Sequence, residues 1–252
     1  MTSPSAMFIR IGTAGWNIPA EYKTVFPSDR SHLERYANIF GAVEINSSFH
    51  RPHRVSTYQR WAASVPETFR FAVKIPKQIT HVHKLQEVEV QLHEFLAQVA
   101  GLGSKLGPLL VQLPPSLPFT LGTAERFFGE LRKRVAGPIA CEPRHASWFQ
   151  PEADRMLINY RVARVAADPS AVDLARHPGG WRGLTYMRLH GSPRMYYSAY
   201  SHKAIQAVVT SLVASARDGS EPWCMFDNTA AGAATQNALT ATREIADDIR
   251  TG

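Results

Sequence analysis

Ala42-Val43-Glu44-Ile45-Asn46-Ser47-Ser48-Phe49 is the stretch on which the fold reading turns. Apolar Val43 and Ile45 alternate with polar Glu44 and Asn46. That is the two-residue period of a strand, whose successive side chains point to opposite faces. Val43 and Ile45 suit a face covered by helices. Glu44 and Asn46, with Ser48 beyond them, are then expected to face inward. A barrel strand points one set of side chains inward and the other toward the helices, and this stretch shows that division.

The rest of the chain repeats this design. Short runs rich in β-branched or aromatic residues occur at 8–15, 42–49, 69–75, 108–113, 138–142, 163–167, 184–190 and 223–226, each bounded by Gly, Pro or polar residues. Helical periodicity falls between most of them. Ser31 and Glu34 have capping-box spacing ahead of Leu33, Tyr36, Ala37 and Phe40. Val88, Leu92, Phe95, Val99 and Leu102 build one apolar stripe. Further helices are expected over 55–64, 123–135, 152–159, 204–214 and 233–249. The alternation predicts an α/β chain forming a single (β/α)8 barrel of the TIM type over residues 8–250, preceded by a loose tail at 1–7. Between strands six and seven, Pro169, Pro178, Gly179 and Gly180 leave an irregular link. A doubly wound open sheet shares the alternation, but Ile11-Gly12-Thr13-Ala14-Gly15-Trp16 after the first strand is no G-x-G-x-x-G cradle.

Length and composition narrow the classes. The 252 residues carry 28 Lys plus Arg against 21 Asp plus Glu, a formal charge of +7 with neutral His. The basic residues are dispersed, and the densest run, Arg132-Lys133-Arg134, falls at an expected helix end, where positive charge complements the dipole. The excess suits an anionic ligand and leaves nucleic acid as a runner-up partner. Two cysteines, Cys141 and Cys224, give neither a disulfide framework nor metal-thiolate spacing. Residues 1–7 lack signal-peptide character and no apolar run approaches a membrane span, so no membrane partner and a cytoplasmic location are expected. Composition does not fix an oligomeric state.

The period-two rule delivers polar side chains to the inner face from several strands. Lys74 alternates with Phe71, Val73 and Ile75; Gln112 with Val111 and Leu113; Glu142 and Arg144 with Ile139 and Cys141; Arg188 and His190 with Met187 and Leu189. Strand eight ends in Asp227-Asn228. Glu44, Glu142 and Asp227 are the catalytic candidates, since two carboxylates in different environments can serve as acid and base. Asn46, Lys74, Gln112, Arg144, Arg188, His190, Asn228 and Trp16 are the substrate-binding candidates; the arginines suit planar or tetrahedral anions. These residues describe an enzyme for a small anionic or hydroxylated substrate, with hydrolase, lyase and isomerase chemistry all open. No motif indicates a cofactor or a metal site. A divalent metal on Glu44, Glu142, His190 and Asp227, as in a metal-dependent hydrolase or isomerase, is one alternative. Nucleic-acid binding or processing is another, and a non-enzymatic ligand-binding barrel a third. A buried ion network that only closes the barrel top would use the same residues. His81 and His83, and His50 and His53, are further loop candidates.

Together, several pieces of the chain resemble the DUF72, or YecE-like, family of uncharacterised proteins. They are Gly12-Thr13-Ala14-Gly15-Trp16, Val43-Glu44-Ile45-Asn46-Ser47-Ser48-Phe49, Phe71-Ala72-Val73-Lys74, Leu110-Val111-Gln112-Leu113-Pro114-Pro115, Glu142-Pro143-Arg144-His145, Arg188-Leu189-His190-Gly191 and Phe226-Asp227-Asn228-Thr229. The likeness runs from about residue 8 to 248 and implies a TIM-barrel fold. It supplies no catalytic residues, because no activity is attached to the family.

Overall fold

The computed structural model describes residues 8–170 and 172–251; the tail expected at residues 1–7 lies outside them. The chain is an α/β structure with its strands in two sheets. The first sheet has the order β1 (Arg10–Thr13), β10 (Glu221–Phe226), β9 (Leu184–Leu189), β7 (Ala166–Asp168). The second runs β2 (Ala42–Ile45), β3 (Arg70–Lys74), β4 (Leu106–Gln112), β5 (Ile139–Glu142), β6 (Val162–Arg164), β8 (Gly179–Gly180). All pairings are parallel except β6 with β8. Parallel neighbours need crossover connections, and helices supply most of them: α1 (His32–Ala37), α3 (Val55–Ala63), α4 (Glu89–Val99), α5 (Leu121–Arg134), α6 (Pro151–Asn159), α7 (His202–Arg217) and α8 (Ala233–Thr251), with the single turn α2 (Ser47–His50) after β2.

The alternation read from the sequence appears as two separate clusters. The larger packs the outer strand faces against the helices: Val43 and Ile45, Phe71 and Val73, Val111, Ile139 and Cys141 with Leu92, Phe95 and Phe128. The smaller lies on the inner faces and draws on both sheets: Ala42, Ala72, Leu110, Ala140 and Ala163 from one, Leu184, Tyr186, Trp223 and Met225 from the other. The stripe Val88, Leu92, Phe95, Val99 and Leu102 is buried throughout. The capping box forms as well, with Ser31 accepting from the Glu34 N–H and Glu34 accepting from the Ser31 N–H.

Three expectations need correction. Strand two stops at Ile45 instead of running to Phe49; the chain turns into α2, so Ser48 does not continue the inward row. The Ser48 hydroxyl donates instead to the Ile45 and Lys74 carbonyls, at 3.0 and 2.7 Å. Serine competes in this way with the backbone ladder and bends the chain locally. Strand six is two strands: β6 pairs with β5, β7 pairs with β9, and Val165 separates them. The link beyond it is a 3-10 turn, Asp173–Arg176, followed by β8, which returns antiparallel against β6. The split into two sheets also replaces the uninterrupted eight-stranded parallel ladder.

Where β1 approaches β2 the ladder is replaced by a side chain. Thr13 donates its N–H to the Tyr36 hydroxyl at 2.8 Å, and that hydroxyl donates to the Ala42 carbonyl at 3.2 Å. Gly12 lies at the same point: a Cβ there would sit 2.2 Å from the Ala42 carbonyl oxygen. The glycine therefore serves a close backbone approach. Just beyond, Ala14 bridges Glu44 in parallel register and the Gly15 N–H donates to the Glu44 carbonyl at 2.8 Å.

Candidate functional site

Six of the inner residues are followed, two positions on, by a polar one at the carboxyl end of the strand. Ala42 leads to Glu44, Ala72 to Lys74, Leu110 to Gln112, Ala140 to Glu142, Tyr186 to Arg188 and Met225 to Asp227. The strand period thus stacks a charged layer directly on the inner apolar layer.

Arg188 is the hub. Its side chain is fully buried and meets three carboxylates. Nε and Nη2 donate to the two oxygens of Glu44 at 3.0 and 2.7 Å, a bidentate pair. Nη1 donates to Glu142 Oε2 at 2.6 Å, and Nη2 also donates to Asp227 Oδ2 at 3.0 Å. Glu44 accepts a further bond from the Tyr186 hydroxyl at 2.8 Å. Glu142 Oε1 accepts from Gln112 Nε2 at 3.2 Å and is paired with Arg144.

His190, also fully buried, sits between the acids. Its Nδ1 lies 2.9 Å from Asp227 Oδ2. Its Nε2 lies 2.6 Å from Arg144 Nη2 and 3.2 Å from Glu142 Oε1. Those last two contacts exclude each other. A bare Nε2 accepts from Arg144 while Nδ1–H donates to Asp227; a protonated Nε2 donates to Glu142 and loses Arg144 as a donor. One proton can therefore be held at two places along the line Asp227, His190, Glu142.

Burial by itself would raise the carboxyl pKa of Glu142, but Arg188, Arg144 and His190 outweigh it and hold the group well below the carboxylate range. Asp227 follows the same balance: burial pushes it up, and Arg188, His190 and Lys74 bring it down. Burial would likewise strip Arg188 of its charge, and the three acids more than restore it. Tyr186 is pushed up by burial and by Glu44, so it stays a hydrogen-bond donor.

Lys74 differs from the other cations. It is 8 % exposed, and its Nζ sits 4.1 Å from the centre of the Phe49 ring. Among the described residues no carboxylate lies within ion-pairing distance of it, since Arg188 engages all three nearby acids. Burial, then the repulsion of Arg188, lower its pKa to about 8 against the opposing pull of Glu44, Glu142 and Asp227. His81 also packs edge-on against Phe49, ring centres 4.9 Å apart. Its imidazole is pushed toward the neutral form by burial and then by Lys74.

The structure therefore brings Glu44, Lys74, Gln112, Glu142, Arg144, Arg188, His190 and Asp227 together. Three of the expected residues stand apart from this network. Trp16 packs edge-on against Trp61, ring centres 5.0 Å apart. Asn228 donates to the Ser198 carbonyl and to Asn237 Oδ1, at 2.9 and 2.8 Å, which ties down the loop after β9. Asn46 precedes α2, and its buried Oδ1, like that of Asn228, has no donor among the described residues. Tyr186 was not among the expected site residues. Tyr186 reads as inner-face packing, and only its reach to Glu44 marks it; Phe49 acquires its place through the unexpected turn at α2. Among the described residues no three His, Cys, Asp or Glu side chains are placed to hold a metal. Cys141 and Cys224 are free and buried, and burial pushes both thiols up. No described helix is long and apolar enough to cross a membrane.

Comparison with known proteins places this architecture. The model of a family described as "Protein of unknown function DUF72" matches residues 10–251. The UPF0759 protein YecE of Escherichia coli strain K12 is 28% identical over 174 residues, which covers 67% of this chain and 62% of that protein. The match thus spans less than two thirds of that relative. Solved structures share the fold, two DUF72 family proteins among them. One is a DUF72 family protein of Enterococcus faecalis V583, with a TM-score of 0.80 and 22% identity over 95% of this chain and 96% of that one. The other is a DUF72 family protein of Thermotoga maritima MSB8, with a TM-score of 0.77 and 23% identity over 94% and 99%.

Proposed function

This chain belongs to the DUF72 family, and from that premise we propose that it is an enzyme acting on a small anionic or hydroxylated molecule at the carboxyl ends of its strands. One observation carries the reading. Arg188, fully buried, is bonded to Glu44, Glu142 and Asp227, while Lys74 stands beside them without a counter-ion. Desolvating such a network costs several kcal/mol per ion, and apolar residues of similar volume often stabilise a core better. A chain that keeps three acids and an unpaired amine there is retaining chemistry at the expense of stability. Sites of this kind lie at the carboxyl ends of strands in parallel α/β architectures.

In this proposal Glu44, Glu142 and Asp227 are the catalytic carboxylates. Glu142 and Asp227, held ionised, stabilise positive charge that develops in the substrate and orient His190, which moves the proton. Arg144 and Arg188 hold negative charge, Lys74 lies in the same charged layer, and Gln112 and His190 complete the binding surface. The same reading takes residues 8–250 as one domain, with the two sheets joined into a single (β/α)8 barrel. The Tyr36 bridge and the Ala14–Glu44 contact at one seam support this, as does the one-residue gap at Val165 at the other. A cytoplasmic location belongs to the proposal too, supported by two free cysteines.

The test is turnover of a panel of phosphoesters, sugars and sugar acids by the wild type, Glu44→Gln and Glu142→Gln. Loss of a general acid or base is expected to lower kcat by about 100-fold or more. Equal turnover by all three proteins would remove the proposed roles.

A further inference from the structure

We propose that Lys74 is a nucleophile, whose amine forms a Schiff base with a small aldehyde or keto acid entering at the carboxyl ends of the strands. The proposal rests on the enzyme reading above and names its substrate class. Three features of the geometry support it. First, Lys74 ends β3 in the charged layer and is almost wholly buried. Second, the acids that would ordinarily pair with it are engaged by Arg188: Glu44 at both oxygens, Glu142 and Asp227 at one each. An anchor for an anion is best kept fully charged, and an adjacent carboxylate would do that; here the carboxylates are turned to another cation. Third, the amine faces an aromatic ring, which offers no acceptor for a proton-transfer partner and keeps water off one side. A desolvated lysine beside a second cation is the arrangement that frees an amine for addition to a carbonyl.

The groups around the amine are consistent with this. Arg188 from β9 repels its charged form, Glu44 from β2, Glu142 from β5 and Asp227 after β10 favour it, and His81 packs edge-on against the same Phe49 ring. The balance leaves a pKa of about 8, so a useful fraction of the amine is neutral near physiological pH. The neutral nitrogen's lone pair forms the N–C bond as the carbonyl π pair moves to oxygen. That oxygen takes one proton from the nitrogen and a second from solvent, then leaves as water. The iminium retains one N–H and the positive charge. Its charge develops in a layer that already holds Glu142 and Asp227 ionised.

The experiment is reductive trapping of the full chain with glyoxylate and, separately, pyruvate in sodium cyanoborohydride, followed by peptide mapping. The peptide carrying Lys74 is expected to label at least about tenfold faster than those carrying exposed Lys23 and Lys203 at pH 7, since an amine titrating at about 8 holds roughly 200-fold more of its neutral form than the model-peptide lysine value allows. The Lys74 rate should level off above about pH 8. Lys74→Arg, with folding checked by its denaturation curve, should lose the fast label and keep the slow ones. Uniform labelling of all lysines, or an unlabelled Lys74 in folded wild type, would overturn the proposal. The substrate panel is scored separately, so turnover without trapping removes the Schiff base and leaves the enzyme reading standing.

Discussion

Replacing Lys74 with methionine is expected to stabilise this protein, and by an amount that depends on pH. The wild-type amine has a pKa of about 8 in the fold against an ordinary value of 10.5. A shift of that size corresponds to about 3 kcal/mol, at 1.36 kcal/mol per unit. The sign follows from proton uptake. Between the two values the unfolded chain binds more protons than the folded one, so wild-type stability rises with pH. The full penalty is present below about pH 8, shrinks between about 8 and 10.5, and vanishes above that. Methionine fills a similar volume without charge, at the loss of a cation–π contact with Phe49 that is worth about 1–2 kcal/mol when desolvated. The net gain at pH 7 is therefore about 1–2 kcal/mol. Urea denaturation of both proteins from pH 6 to pH 11 reads it directly: the difference should be flat on the acid side and fall by about 3 kcal/mol across the alkaline window. A methionine variant less stable than wild type at pH 7, or a difference that does not change with pH, would refute the account of Lys74 as an unpaired buried cation.

Four further outcomes follow from the same geometry. Arg188→Met strands three acids in the interior and should cost about 3–5 kcal/mol at pH 7; part of that should return near pH 5 as the acids take up protons, and an equal loss at both values would contradict the hub arrangement. Glu142 and Asp227 have depressed carboxyl pKa values, so their contribution is complete above about pH 4 and lost as pH falls below it. Acid unfolding monitored by near-ultraviolet circular dichroism should therefore be less steep in Glu142→Gln than in wild type. Tyr36→Phe removes the hydroxyl that links Thr13 to the Ala42 carbonyl and leaves the Thr13 N–H buried, which should cost about 1–3 kcal/mol in a urea melt. Gly12→Ala puts a methyl 2.2 Å from the Ala42 carbonyl oxygen, and since that neighbour is backbone the loss should reach about 2–3 kcal/mol; a neutral result would mean the strands are further apart than described.

Much of the site was legible because strand alternation is a local property. Glu44, Lys74, Gln112, Glu142 and Arg188 each follow an apolar inner residue by two positions, and no tertiary information is needed to place them on one face. The same rule put Cys141 on the outer face, where the structure has it. The rule failed where a side chain could satisfy the backbone in another way. Nothing in Ser47-Ser48-Phe49 distinguishes a strand end from a helical turn until Ser48 finds the Lys74 carbonyl, 26 residues along the chain.

The chain's own residues determined which side chains share a face and which strands end in charge, because the two-residue period depends only on neighbours along the backbone. Pairing was decided by the tertiary structure. Glu44 meets Arg188 across 144 residues of sequence, and Lys74 is left without a counter-ion by a contest among β2, β5, β9 and the segment after β10. Such competition is settled by distance and desolvation in three dimensions, and one-dimensional spacing carries no record of either.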